Sequence, residues 1–209
     1  MSSLIKPGQK FLFHGDSITD AGRDYANPND LGPGYPVLFK ALFEAMNPDA
    51  NVQFINRGVS GFRVVNLIES WKKDVIDNQP DWVSILIGIN EVWRRFDSNM
   101  PTSVEDYENG YRSILERTAT ETNARILILE PFVLHTPADR LTWRDDLNPK
   151  IEVARKLSKE FGAIHVSLDT IFASLAKNTS PELWAADGVH PTTAGHSIIA
   201  TAMLNATSE

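Results

Sequence analysis

The chain has 209 residues and a mass of 23.3 kDa, which fits one domain with a core large enough to stand without disulfides or metal staples. Its 20 Lys and Arg against 27 Asp and Glu leave a net charge of −7, excluding the basic surplus that draws a protein to nucleic acid or anionic lipid. Hydrophobic residues at 42% and charged ones at 22% exclude disordered, collagen-like and coiled-coil classes, and zero cysteines exclude disulfides, thiolate metal sites and a cysteine nucleophile.

The amino-terminal residues contain no apolar run of signal-peptide length, and no stretch approaches the ~20 apolar residues of a membrane span. The expectation is a soluble, cytoplasmic protein with no membrane partner. Five short apolar runs follow in order, at 11–13, 52–55, 82–87, 125–129 and 163–166. The third and fourth are almost continuously apolar and rich in β-branched residues, as strands buried on both faces of a parallel sheet are. Helical patterns lie between them. Tyr107, Tyr111, Ile114, Leu115 and Thr118 share one helical face, as do Leu147, Ile151, Ala154, Leu157 and Phe161. The stretches 24–35 and 94–103 read as long loops. Strands alternating with helices predict an α/β fold, a three-layer α/β/α sandwich with right-handed crossovers. With no repeat, low-complexity tract or linker composition, residues 1–209 are expected to form a single domain.

In an open α/β sheet the ligand crevice lies beyond the carboxyl ends of the strands, so the residues after each run are the ones that bear on function. After the first comes His14-Gly15-Asp16-Ser17-Ile18-Thr19-Asp20. A strand-to-helix turn here presents the Ser17 hydroxyl and backbone N–H at the sheet edge, although Gly-Asp-Ser also serves as a helix cap. After the second comes Asn56-Arg57-Gly58-Val59-Ser60-Gly61, whose glycines bring N–H groups close to an anion or make a tight turn; neither a Walker nor a dinucleotide pattern is present. The third run leads into Gly88-Ile89-Asn90-Glu91-Val92-Trp93, where the Asn90 amide either aims into the crevice or caps the next segment. Near the carboxyl end stands Asp187-Gly188-Val189-His190-Pro191. An Asp three residues before a His can accept its Nδ1 proton and leave Nε2 as a base, unless the histidine is structural. His165 falls within a strand, and His14, His135 and His196 lack such an Asp. No His or carboxylate cluster has metal-ligand spacing, so neither a metal nor a cofactor is expected.

Four such blocks, in the loops of one sheet, outweigh the structural readings of each taken singly. Through them the sequence resembles the SGNH hydrolases, or GDSL esterase/lipase family, over nearly its whole length. Gly15-Asp16-Ser17-Ile18-Thr19-Asp20, Gly32-Pro33-Gly34-Tyr35, Asn56-Arg57-Gly58-Val59-Ser60-Gly61 and Ile87-Gly88-Ile89-Asn90-Glu91-Val92-Trp93 look like the subgroup containing bacterial intracellular acetylxylan esterases. The resemblance implies a flavodoxin-like sheet of five parallel strands in order 2-1-3-4-5. It also implies a serine esterase, with Ser17, His190 and Asp187 as triad and an oxyanion hole from the N–H groups of Ser17 and Gly61 and the Asn90 amide. The implied substrates are acetyl esters of carbohydrates such as xylo-oligosaccharides. The third block usually reads Gly-x-Asn-Asp, and Glu91 departs from it in a way that bears on local packing or substrate contacts rather than on catalysis. The alternatives are a general short-chain carboxylesterase, lysophospholipase or thioesterase, and, from another class, an inactive glycan-binding module. Tyr35, Trp93 and Trp184 adjoin these blocks, as sugar-stacking residues or as core. Related esterases are often homo-oligomers, but no interface stripe stands out here.

Overall fold

A computed structural model of the chain describes residues 3–208. Among them, strands β1 (Lys10–Gly15), β2 (Gln53–Asn56), β3 (Trp82–Leu86), β4 (Arg125–Leu129) and β5 (Ile164–Val166) form one parallel sheet in the order β2-β1-β3-β4-β5. Each coincides with one of the five apolar runs, and the order is the one the family resemblance implies. Parallel neighbours require crossovers. These are supplied by α1 (Ser17–Asp20), α2 (Tyr35–Met46), α3 (Val64–Asp74), α4 (Ile89–Ser98), α5 (Val104–Glu121) and α6 (Arg144–Glu160), while α7 (Leu168–Leu175) and α8 (Thr193–Ala206) follow the last strand.

Alternation along the strands divides the core between the two faces. Phe11, Phe13, Trp82, Leu86, Leu127 and Leu129 point to one side, where Tyr35, Phe39 and Phe43 of α2, Phe172 of α7 and Ile199 and Met203 of α8 pack. Leu12, Val83, Ile85, Ile126 and Ile128 point to the other, against Leu67 and Trp71 of α3, Tyr107, Tyr111 and Ile114 of α5 and Leu157 of α6. The first layer is dense in aromatics: Phe11 stacks on Trp82 at 6.0 Å and tilts against Phe39 at 5.1 Å. The result is the expected three-layer sandwich.

Two boundaries differ from the sequence expectation. The stretch read as a loop from 94 begins inside α4, which runs on to Ser98 and ends where Asn99 adopts the left-handed conformation (φ 51°) with its N–H on the Arg94 carbonyl. An Arg94–Asp97 ion pair three residues apart supports that last turn. Likewise the loop from 24 stops one residue early, because Tyr35 opens α2 with Pro36 in its first turn.

From β1 the chain moves to β2 on one side and then to β3 on the other. The carboxyl ends of β1 and β3 therefore flank the topological switch point, where a crevice opens.

Candidate active site

The loop after β1 reconciles its two readings. Asp16 caps α1 by accepting a 3.0 Å bond from Ile18 N–H, and Ser17 begins the helix just beyond. Gly15 is required for this turn: its φ is +156°, and a Cβ there would stand 2.2 Å from the Leu86 carbonyl oxygen of β3 and 2.5 Å from Thr19 Oγ1. Asp16 is buried, and burial pushes its carboxyl up to about 7 despite the bond from Ile18.

Ser17 Oγ lies 2.9 Å from His190 Nε2, and His190 Nδ1 lies 2.7 Å from Asp187 Oδ2. The other oxygen, Asp187 Oδ1, accepts the backbone N–H groups of Val189 at 2.9 Å and His190 at 2.7 Å. The fold-back expected of an Asp three residues before a His is thus an Asx turn that also carries the ring. Burial by itself would raise the Asp187 carboxyl, but the bonds from His190 and Val189 outweigh it and hold the group well below the usual carboxylate range. The Asp187 hydrogen bond in turn raises the His190 pKa above its ordinary value. Both side chains remain substantially open to solvent, at 39% and 47% exposed.

The Asn90 side chain is buried at the start of α4 and donates to the Phe62 carbonyl at 3.0 Å, fixing the amide nitrogen beside the loop that carries Gly61. Gly88, before it, has φ +136°, and a Cβ would meet Tyr107 Oη and Pro131 Cγ at 2.9 Å each. Among the described residues, neither Ser17 N–H nor Gly61 N–H donates to a protein acceptor. The Gly61 loop is held from α1: Asp20 Oδ2 accepts Ser60 N–H at 3.0 Å, Ser60 Oγ–H at 2.5 Å and Tyr25 Oη–H at 2.6 Å. Glu91, the departure from the usual block, is buried with Oε1 accepting Val64 N–H at 2.5 Å, so it caps the amino end of α3. Burial raises this carboxyl to about 7 as well.

Of the three aromatic candidates, only Trp93 adjoins the imidazole, with ring centroids 5.5 Å apart; its other side packs edge-on to Trp143 at 5.4 Å. Tyr35 corrects the expectation. It is fully buried in the α2 layer with its hydroxyl 2.9 Å from Thr19 Oγ1, and offers no face to a sugar. Trp184 is half-buried, its indole N–H bound to Thr179 Oγ1 at 2.8 Å, and it is not among the residues around Ser17 and His190. Sequence reasoning missed Arg140, which lies 4.1 Å over the Trp143 ring and donates to the Asp187 carbonyl at 3.2 Å, joining the aromatic wall to the acid loop. It also missed His196, which borders a cavity of about 320 Å³ with Ser17 and His190. Among the described residues no group of three or more His, Cys, Asp or Glu is placed to hold a metal ion.

A hydroxyl, an imidazole and a carboxylate in hydrogen-bonded line at the switch point of a doubly wound sheet define the class: a hydrolase of the α/β type. Residues 13–198 match the model of the GDSL-like Lipase/Acylhydrolase family, and the chain belongs to that family. It is a carboxylic ester hydrolase. An acetylxylan esterase of Geobacillus stearothermophilus is 35% identical, with 96% of this chain and 94% of that protein aligned. Among solved structures, a putative GDSL-like lipase from Parabacteroides merdae superposes with a TM-score of 0.93 at 34% identity, covering 97% of each chain. Axe2, an acetylxylan esterase from G. stearothermophilus, gives a TM-score of 0.87 at 34% identity over 97% of this chain and 95% of its own. Two further Axe2 structures are described as catalytic mutants, one replacing an aspartate and the other a histidine three positions later. No helix among the described residues is long and apolar enough to cross a membrane.

Proposed function

We propose that the chain is a single-domain serine esterase that removes acetyl groups from carbohydrates of the xylo-oligosaccharide class. The observation that carries this reading is the line from Ser17 Oγ through His190 to Asp187, at 2.9 Å and 2.7 Å. Its chemistry follows from the donors and acceptors. His190 Nδ1–H donates to Asp187, so Nε2 is the acceptor for the Ser17 hydroxyl proton. Oγ attacks the ester carbonyl as that proton moves to Nε2, and Asp187 stabilises the resulting imidazolium. The carbonyl oxygen, now negative, is received by Ser17 N–H, Gly61 N–H and the Asn90 amide. The carbon–oxygen bond to the alcohol then breaks, and the alcohol leaves with the proton from Nε2. Water, deprotonated by the same nitrogen, attacks acetyl-Ser17, and acetate departs as the serine regains its proton.

Two observations support an acetylated sugar as substrate. The cavity that Ser17 and His190 border has a volume of about 320 Å³, room for a sugar ring on the alcohol half of the ester. The acetylxylan esterase similarity extends over nearly the full length of both proteins. The aspartate and histidine of the Axe2 catalytic mutants share the spacing of Asp187 and His190. The test is acetate release from acetylated xylo-oligosaccharides alongside medium-chain esters, with Ser17→Ala as control. Expected are acetate release lost by a factor of about 10⁴ or more in Ser17→Ala and a fluorophosphonate adduct on Ser17 in the parent. An adduct elsewhere would overturn the nucleophile, and a preference for acyl chains of eight carbons or more would overturn the substrate.

A further inference from the structure

His196 belongs to none of the motif blocks, yet it borders the same cavity as Ser17 and His190. It sits in the first turn of α8, which Thr192 caps through a 3.2 Å bond from Gly195 N–H to its Oγ1. Helix α8 packs against α2, and the backbone N–H of Tyr35, an orphan donor at the start of α2, gives a 3.1 Å hydrogen bond to His196 Nδ1. This contact decides the tautomer. A nitrogen that accepts from an amide carries no proton, so the ring is neutral and its one N–H is at Nε2. The ring is also fixed in place. Its Cε1 would lie 3.0 Å from a Cβ on residue 34, so Gly34 leaves the space the imidazole fills, and the Tyr35 ring stacks on it at 6.4 Å. Burial, together with the nearby His190, lowers the pKa of His196 to about 4. It therefore stays neutral when His190 becomes an imidazolium and places no second cation beside it.

Among the described residues Nε2 of His196 has no acceptor, and it is not sealed within the protein. The one N–H of a fixed ring that borders the cavity thus has no partner among those residues. Gly61 and Asn90, the donors on the oxyanion side, do not border this cavity, whereas His190, Pro191 and Thr193 do. In the proposed reaction His190 hands its proton to the departing alcohol, so a space walled by His190 receives the alcohol half of the ester.

We propose that His196 is a specificity-determining residue whose Nε2–H hydrogen-bonds a free hydroxyl on the alcohol half, selecting esters of sugars and polyols over simple alkyl esters. The proposal rests on the assignment of Ser17 and His190 as nucleophile and base. A donor built to meet a hydroxyl is left unpaired by an alkyl alcohol, and such sites reject the poorer partner strongly.

The experiment compares 1-monoacetylglycerol, which carries free hydroxyls, with ethyl acetate, which has none. The parent is expected to favour the glycerol ester in kcat/KM. His196→Asn keeps a carbonyl oxygen for Tyr35 N–H and withdraws the donor from the Nε2 position, the shorter amide N–H groups not reaching it. Its KM for monoacetylglycerol should rise about fivefold more than that for ethyl acetate, with the change in kcat smaller than that in KM. His196→Gln, which extends an N–H toward the former Nε2 position, should recover part of the difference. Equal shifts for the two esters in His196→Asn, or no hydroxyl preference in the parent, would overturn the proposal. Turnover of either ester by Ser17→Ala would instead overturn the triad assignment on which it rests.

Discussion

Two groups of carboxylates stand at the carboxyl end of the same sheet and live under opposite conditions. Asp187 lies on an open loop, accepts two backbone N–H groups and the His190 ring, and is held ionised. Asp16 and Glu91 lie beneath the site, fully buried, each with one oxygen bonded to a helix-start N–H and the other without a partner. Burial raises both to about 7, and the nearby Glu91 charge further disfavours ionisation of Asp16. Three acids near one serine thus divide into one whose charge is maintained for His190 and two whose side chains serve chiefly as hydrogen-bond acceptors. Proximity to a nucleophile does not tell these roles apart; solvation and the number of donors do.

The comparison breaks most visibly at Asp187. Replacing it by Asn is expected to lower kcat about a thousandfold or more, because the amide no longer stabilises the imidazolium or enforces the tautomer. The acid limb of the pH–rate profile should also move. Activity needs neutral His190 and rises as pH passes its pKa; Asp187 holds that pKa up, so its loss shifts the limb to lower pH. An unmoved limb would contradict the ionised state of Asp187. A smaller effect is expected at Asp16, whose charge reaches His190 only through space. Asp16→Asn retains the cap on Ile18 and should reduce kcat/KM by less than about tenfold, moving the same limb less far. A loss as large as that in Asp187→Asn would place the two acids in one class.

The smallest expected change is at Glu91 and concerns stability. A carboxyl whose pKa is raised by folding binds its proton more tightly in the native state, so its contribution is complete below the ordinary value and is lost as pH climbs towards about 7. Glu91→Gln keeps an oxygen for Val64 N–H and removes that loss. The variant should gain about 1–2 kcal/mol over the parent at pH 8 and nothing at pH 4, measured by denaturant unfolding. A gain independent of pH would show that Glu91 is not the titrating group. Asp187 contributes with the opposite sign: its pKa is lowered, so its stabilisation is present above the ordinary carboxylate value and fades as pH falls through the lowered one.

Much of the site was legible because three of the four blocks directly follow strands β1, β2 and β3, and a parallel sheet brings strand ends together whatever the loops between them do. Ser17 and Asn90 could be placed from that rule, whereas His190, beyond α7, was marked by the Asp three positions before it. The rest depends on packing between distant segments. His196 gains its role only when α8 docks on α2 and meets an N–H 161 residues away in sequence. Asp20 reads as the end of a motif, and only the folded loop shows it holding Ser60. Tyr35 was misjudged for a related reason: an aromatic residue beside a site loop looks the same in sequence whether its ring faces solvent or the core. The end of α4 is hard to read because two arginines and an aspartate resemble a loop until Arg94 is seen paired with Asp97 and Arg95 with Asp146 of α6.

The clamp at Asp20 carries one further consequence. The helix α1 is a single turn that starts with Ser17 and ends with Asp20, and Asp20 grips the residue next to Gly61. In the proposed reaction, nucleophile and oxyanion donor are therefore the two jaws of one short, stiff body joined through a carboxylate. Their spacing is set when the chain folds, so little reorientation of dipoles is left to accompany the making and breaking of the tetrahedral intermediate.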